Sequence, residues 1–329
     1  MINKSIQHLR NLQTTSNLFR ASPEIKTGYN RIWIRDNLYI SIAFEEINDK
    51  KTVENIFISL LNLLVKYEYK IDNAIKEKPT EDYKYIHPVY TENLEETKGG
   101  WGWKQNDAIG GLLFKIGKLE QKNYNIIRND KHFNLLKKLV LYLKSIEYWK
   151  DKDNGMWEEN KEIHSSSIGA CIAGLKAISH IVEVPIDLIK KGEQTLSKLL
   201  PAESVTKSTD LSLLSLIYPY KLLNKEQSEE ILGNIEKYLC KEKGIIRYVG
   251  DSYYKKNNKE ASWTMGFPWM AICYYQIGNL KKYKYYIKKT IEVLNDNLEL
   301  TELYKEDKYP NENTPLGWSQ SLLVKALSI

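Results

Sequence analysis

Three cysteines in 329 residues, Cys171, Cys240 and Cys273, are too few and too widely spaced for a disulfide framework or a thiolate metal cluster. Each lies in an apolar helical pattern and reads as a buried thiol. Five scattered histidines offer no ligand-spaced set, so no metal is expected. No apolar run approaches twenty residues and the mean hydropathy is negative, which excludes a hydrophobic helix through a membrane. The opening Met1-Ile2-Asn3-Lys4-Ser5 has no apolar stretch to direct secretion, so a cytoplasmic chain is expected. Net charge is +6, but lysines alternate with glutamates. Runs such as Lys281-Lys282-Tyr283-Lys284 therefore read as a solvated helix face, with no nucleic acid or membrane as partner. No coiled-coil pattern or exposed apolar stripe fixes an oligomeric state.

Helical periodicity is abundant. Ile56-Phe57-Ile58-Ser59-Leu60-Leu61-Asn62-Leu63-Leu64 and Leu135-Leu136-Lys137-Lys138-Leu139-Val140-Leu141-Tyr142-Leu143 carry apolar residues at three- and four-residue steps. Such patterns predict helices near 3–18, 36–48, 51–68, 105–120, 129–149, 165–182, 186–199, 209–219, 225–240, 263–277, 280–297 and 317–328. No period-two strand series competes with them. Short links near 49–50, 121–128, 183–185, 220–224 and 278–279 alternate with long ones near 19–35, 69–104, 150–164, 200–208, 241–262 and 298–316. That rhythm describes successive antiparallel helix hairpins. The last helix has no later partner and is expected to pair with the first, closing residues 1–329 into a single all-α domain, an (α/α)6 toroid. An open solenoid would need a shared motif and a fixed period, and neither is present. In the closed form the long loops emerge on one face, at the N-termini of the inner helices.

The tryptophans concentrate on that face. Trp33, Trp101, Trp103 and Trp157 fall in long loops, while Trp263 and Trp318 are expected to begin inner helices. Trp149 and Trp269 read as packing residues. An indole presents an apolar face and one donor, which suits it to stacking on a sugar ring; plugging the loop side of the barrel is the plainer reading. The same loops hold Trp33-Ile34-Arg35-Asp36, Trp101-Gly102-Trp103-Lys104-Gln105-Asn106-Asp107, Trp157-Glu158-Glu159 and Arg247-Tyr248, then Glu302-Leu303-Tyr304. Asp36 and Asp107 stand where aspartates also cap helices. Glycosidic bond cleavage requires one protonated carboxyl for the leaving oxygen and one carboxylate for water or carbon. Glu158, between an indole and Glu159, has neighbours that would keep it protonated, and Glu302 could face it across the ring mouth.

Trp33-Ile34-Arg35-Asp36, Trp157-Glu158-Glu159, Arg247-Tyr248 with Asp251 and Tyr253-Tyr254, and Pro315-Leu316-Gly317-Trp318-Ser319-Gln320 resemble, in order, the loops of the glucoamylase-type glycoside hydrolases of family 15. The resemblance implies an inverting, exo-acting (α/α)6 enzyme that needs no cofactor. It would release glucose from α-glucans or short α-glucosides. Glu158 would then be the general acid and Glu302 the general base, with Glu312 as the rival base. Arg35, Asp36 and Arg247 would grip the non-reducing glucose, Glu159 would bind substrate beside them, and Trp101 would stack on it. Trp33, Gln105, Asp107, Trp157, Tyr248 and Trp318 complete the expected sugar site. The chain length leaves room for little beyond the barrel, which favours short, soluble glucans. His164-Ser165-Ser166-Ser167-Ile168-Gly169, Gln105-Asn106-Asp107-Ala108 and Trp318-Ser319-Gln320-Ser321-Leu322 are also similar to the N-terminal domains of phosphorylase kinase α and β subunits. That second resemblance implies the alternative of a catalytically inactive, glucan-binding or regulatory barrel.

Overall fold

Six helices with almost no solvent-facing side form the inner wall of the molecule. In this computed structural model, which describes residues 1–99 and 102–329, they are α2 (Ile34–Glu46), α5 (Asn106–Gln121), α7 (Ser165–Ile178), α9 (Leu214–Ile217), α11 (Gly266–Gln276) and α13 (Gly317–Leu327). Each packs on the next, α2 on α5, α5 on α7, α7 on α9, α9 on α11 and α11 on α13, and α13 returns to α2. The ring explains their composition: a helix buried all round must be apolar or small-residued all round. In α7, 13 of 14 residues are buried, serines and glycines included.

The outer helices are amphipathic, as one-sided burial demands. α3 (Lys50–Lys66) lies on α2, α8 (Ile186–Leu199) on α7, α10 (Lys225–Tyr238) on α9 and α12 (Leu280–Glu292) on α11; α6 (Asp130–Ser145) flanks α3. The sixth outer helix is α1 (Ile2–Asn11), which packs on α13. The fold is therefore an (α/α)6 toroid. No helix among the described residues is long and apolar enough to cross a membrane.

Several expected boundaries move. The first helix stops at Asn11 instead of running to 18, because the Thr14 amide and hydroxyl both donate to the Leu18 carbonyl across a small loop. The expected helix at 209–219 is a 3-10 turn, Leu211–Leu213, followed by the single turn of α9. Tyr218 is extended there because it precedes Pro219. A thirteenth helix, α4 (Glu68–Lys76), occupies the segment read as loop; its Glu68 and Asp72 hold Lys138 of α6 at 2.8 and 2.7 Å. Short strands also occur. β1 (Ile32–Trp33) pairs with β2 (Val89–Tyr90), and β3 (Ser262–Trp263) pairs with β4 (Leu303–Lys305), which pairs with β5 (Tyr309–Pro310). Trp263 thus sits on a strand three residues before α11, not on the helix.

Candidate active site

The first turns of α2 and α13 and the loops between the inner helices line one cleft of 310 Å³. Its charged lining comes from four places: Arg35 and Asp36 on the first turn of α2, Glu158 and Glu159 on the 150–164 loop, Arg247 on the loop before β3, and Glu302 at the entry to β4. The positive ends of the helix dipoles favour carboxylates at this face.

The loop bearing Glu158 is fixed by its own backbone. Asp153 pairs with Glu162 in an antiparallel bridge, accepts the Asn106 amide at 2.8 Å and the Gly155 amide at 3.2 Å. Gly155 and Glu158 both adopt left-handed φ, +63° each, so the chain makes a tight turn that presents Glu158 inward. Trp33 Nε1 donates to Glu158 Oε1 at 2.7 Å and Arg35 Nη2 donates to the same oxygen at 3.0 Å. Burial raises the pKa of this carboxyl above the usual glutamate range, with Arg35, Gln105 and Trp33 only partly opposing it.

Glu302, fully buried, lines the same cleft. Its backbone amide donates to Asn313 O at 3.0 Å, and its Oε2 accepts from Asn313 Nδ2 at 2.7 Å and from Asn311 Nδ2. Thr264 N donates to the Glu302 carbonyl at 3.2 Å, so the β3–β4 pairing ties Trp263 and Glu302 together. Burial raises the Glu302 pKa too, against donors from Tyr29, Asn313 and Asn311. Glu312 lies outside the cleft lining; it is exposed and paired with Lys305 at 3.0 Å.

Around these two carboxyls the other groups are held rigidly. Arg35 Nη1 donates to Gln105 Oε1 at 2.8 Å and Asp107 Oδ2 at 3.1 Å, so Gln105 and Asp107 support the arginine and do not themselves line the cleft. Burial pushes Asp36 up to about 7, with Arg35 opposing and the Glu158 and Glu302 charges adding to the rise. Arg247 is clamped by Asp251 at 2.6 and 2.7 Å and donates to Glu159 at 2.6 Å. Tyr248 and Lys207 (3.0 Å) also donate to Glu159, standing behind it. Burial pushes the Glu159 pKa up, but Arg247, Tyr248 and Lys207 outweigh it and hold that carboxylate below the usual range.

Trp157, Trp263 and Trp318 cluster within the aromatic lining, with Trp157 6.2 Å from Trp318 and 5.7 Å from Trp263 between ring centres. Trp157 is oriented by Asp210, which accepts its indole N–H at 2.8 Å. Trp33 packs against Tyr29 at 5.5 Å. Trp103 does not reach the cleft; it packs on His87 at 5.4 Å. Trp101 lies outside the described residues. Of the sequence-derived candidates, Trp33, Arg35, Asp36, Trp157, Glu158, Glu159, Arg247, Glu302 and Trp318 line one cleft. Trp263, which the sequence placed on this face, and Tyr253, in the matched arginine-tyrosine segment, line it as well, as do Tyr29 and Ser252, to which sequence reasoning gave no role. Tyr29 faces Glu302, and its hydroxyl stands 3.1 Å from that of Tyr253. A tyrosine four residues ahead of Trp33 in a polar loop was the only available signal.

The arrangement brings two carboxyls able to give and take a proton to one polar, aromatic-walled cavity. The wild-type form of a glycosidase of solved structure shares the fold with a TM-score of 0.85 at 15% identity, covering 99% of this chain and 94% of that one. A bacterial glucoamylase complexed with acarbose superposes at 0.69 and 16%, covering 98% and 54%. Among curated proteins, an uncharacterized glycosyl hydrolase of Methanocaldococcus jannaschii is 24% identical over 92% of this chain and 51% of its own length. The skeletal-muscle phosphorylase b kinase regulatory subunit alpha of Oryctolagus cuniculus is 23% identical over 89% of this chain and 30% of its own length. The chain thus spans about half of the first relative and under a third of the second. Residues 3–262 match the model of the glycosyl hydrolases family 15, and the chain belongs to that family.

Proposed function

We propose that the protein is an inverting, exo-acting glycoside hydrolase that releases glucose from the non-reducing end of α-glucans or short α-glucosides. The observation that carries this reading is the pairing of two carboxyls, the part-buried Glu158 and the fully buried Glu302, in one cleft with differently built surroundings. Glu158 has two donors on Oε1, so its proton belongs on Oε2. It gives that proton to the glycosidic oxygen as the C1–O bond breaks. Glu302 takes a proton from a water whose oxygen bonds C1 from the opposite face, so an α-linked glucose leaves as the β-anomer. Glu158 ends ionised and Glu302 protonated, and exchange with solvent resets both. Arg35, Asp36 and Arg247 supply fixed hydrogen-bond partners for sugar hydroxyls, and the four tryptophans of the lining supply the apolar wall.

Polarimetry of the first sugar released from the non-reducing end of maltose, maltodextrin and isomaltose tests the reading. β-Glucose as the initial product supports it, and α-glucose overturns the inverting assignment. Similarity to phosphorylase kinase regulatory subunits favours one second reading, a barrel that binds glucan without cleaving it. Binding of these sugars with no product from any of them would establish that second reading instead.

A further inference from the structure

The helix that the twelve-helix toroid does not require, α4, forms one wall of a second cavity, larger than the cleft at 530 Å³. Its other wall is the segment 78–84. Tyr69 and Tyr83 line it with 56% of each side chain's surface open to solvent, while Ala74 and Pro79 are buried beneath. An adjoining 410 Å³ groove shares Thr80 and Tyr83 and runs on to Gly102 and Trp103. That end touches the catalytic layer: Gln105 donates to Gly102 O at 2.8 Å and holds Arg35 at 2.8 Å.

The charges along this trough are already matched. Lys70 is paired with Glu96 at 2.6 Å, Lys78 with Asp151 at 3.2 Å, and Lys161 with Asp82 at 2.6 Å. The remaining lining charges, Lys76 and Lys84 against Glu77 and Glu81, cancel. A surface without net charge has nothing to offer a polyanion or an anionic membrane. Open tyrosine rings with amide and hydroxyl neighbours suit a neutral, polyhydroxylated chain that stacks and hydrogen-bonds. From this geometry we infer that the trough along α4 is a second binding site for an α-glucan chain, outside the cleft and leading toward it. The choice of glucan rests on the function proposed above; the existence of the site does not. It would give the enzyme a hold on chains longer than the cleft accommodates, against the expectation of short glucans only.

Native electrophoresis through gel containing glycogen tests the site on the intact chain. Wild-type protein should be retarded. The Tyr69→Ala/Tyr83→Ala double variant should bind glycogen about tenfold more weakly, two aromatic contacts being worth roughly 1.4 kcal/mol together. Thr80→Trp, which fills the trough without removing a ring, should do the same. Both variants should turn over maltose at the wild-type kcat/KM, which also certifies that they fold. Arg35→Ala, in the cleft, should lose maltose turnover and keep the retardation. No retardation of the wild type, or equal retardation of the trough variants, overturns the site. Retardation by heparin in place of glycogen overturns the neutral ligand. A protein that cleaves no glucoside yet binds glycogen through Tyr69 and Tyr83 keeps this site and loses the hydrolase reading.

Discussion

Burial raises the pKa of both Glu158 and Glu302, yet the proposed reaction asks opposite things of them. Turnover needs Glu302 ionised, so it should fall as pH drops through the Glu302 pKa. It needs Glu158 protonated, so it should fall again as pH climbs through the Glu158 pKa. With both above the ordinary 4.5, the kcat/KM profile should be a bell displaced toward neutrality. Glu158→Gln should cut maltose turnover by about 10²–10⁴-fold and remove the basic limb. It should spare an aryl glucoside such as p-nitrophenyl α-glucoside, whose leaving oxygen needs little protonation, whereas Glu302→Gln should disable both substrates. Equal losses on the two substrates for Glu158→Gln would remove it from the acid role. Gly155 carries a different burden. Its φ is +63°, and a Cβ there would lie 2.8 Å from His164 Nε2. Gly155→Ala should destabilise the protein by about 2–3 kcal/mol in urea unfolding and raise KM for maltose as the Glu158 loop shifts. The place of Glu158 in the cleft was legible because Trp157-Glu158-Glu159 sets charge beside an indole in a long loop, and that of Glu302 through the family resemblance. Tyr29 was not, because a tyrosine in a loop looks the same whether it faces solvent or a buried carboxylate.

Among the elements, α5 and α7 meet most closely. A Cβ on Gly110 would lie 2.4 Å from Cys171 N, and one on Gly174 would lie 2.3 Å from Gly110 O. The two backbones touch, so neither neighbour can move aside as a side chain would. Gly110→Ala should therefore cost about 2–3 kcal/mol of stability by chemical denaturation, although alanine is the better helix former. An unchanged midpoint would mean that the helices do not approach this closely. Strong periodicity made the long helices readable, and hairpin rhythm made their order readable. The elements that escaped notice are those with little pattern of their own. α4 shows only Lys70, Ile71 and Ala74 buried, too short a stripe to separate from a polar loop. β3 and β4 are two and three residues long and exist because Trp263 and Leu303 find each other across some forty residues of chain. Those same strands set Glu302 beside Trp263, so the least legible elements hold part of the candidate site.

Closure of the ring makes distant segments share one fate. His164 joins the Glu158 loop to the loop before α9 through Glu203 at 3.3 Å. Burial alone would lower its pKa, but the Glu203 bond and the Asp153 charge carry it to about 9. Because the folded value lies above the unfolded 6.5, the stabilisation is complete below pH 6.5 and lost as pH rises to 9. It is worth about 3 kcal/mol. Stability measured across that window should fall in the wild type and stay nearly level in His164→Gln. The seam itself depends on Gln320 of α13, which is fully buried. Its Oε1 accepts from Leu300 N at 3.0 Å, and its Nε2 donates to Ser5 Oγ at 2.8 Å and to Leu298 O at 3.1 Å. One amide thus ties the last helix to the first and to the strand entry that carries Glu302. Gln320→Leu keeps the volume but leaves a buried amide N–H and a carbonyl without partners, at a cost of about 3 kcal/mol. In a ring whose inner helices each pack on two others, that loss cannot stay local. Far-UV circular dichroism and tryptophan fluorescence should report one shared urea transition, moved to lower denaturant as a unit, and maltose turnover should fall because Leu300 is two residues from Glu302. Two separated transitions would show instead that α1 and α13 unfold apart from the rest and that the ring is stable while open.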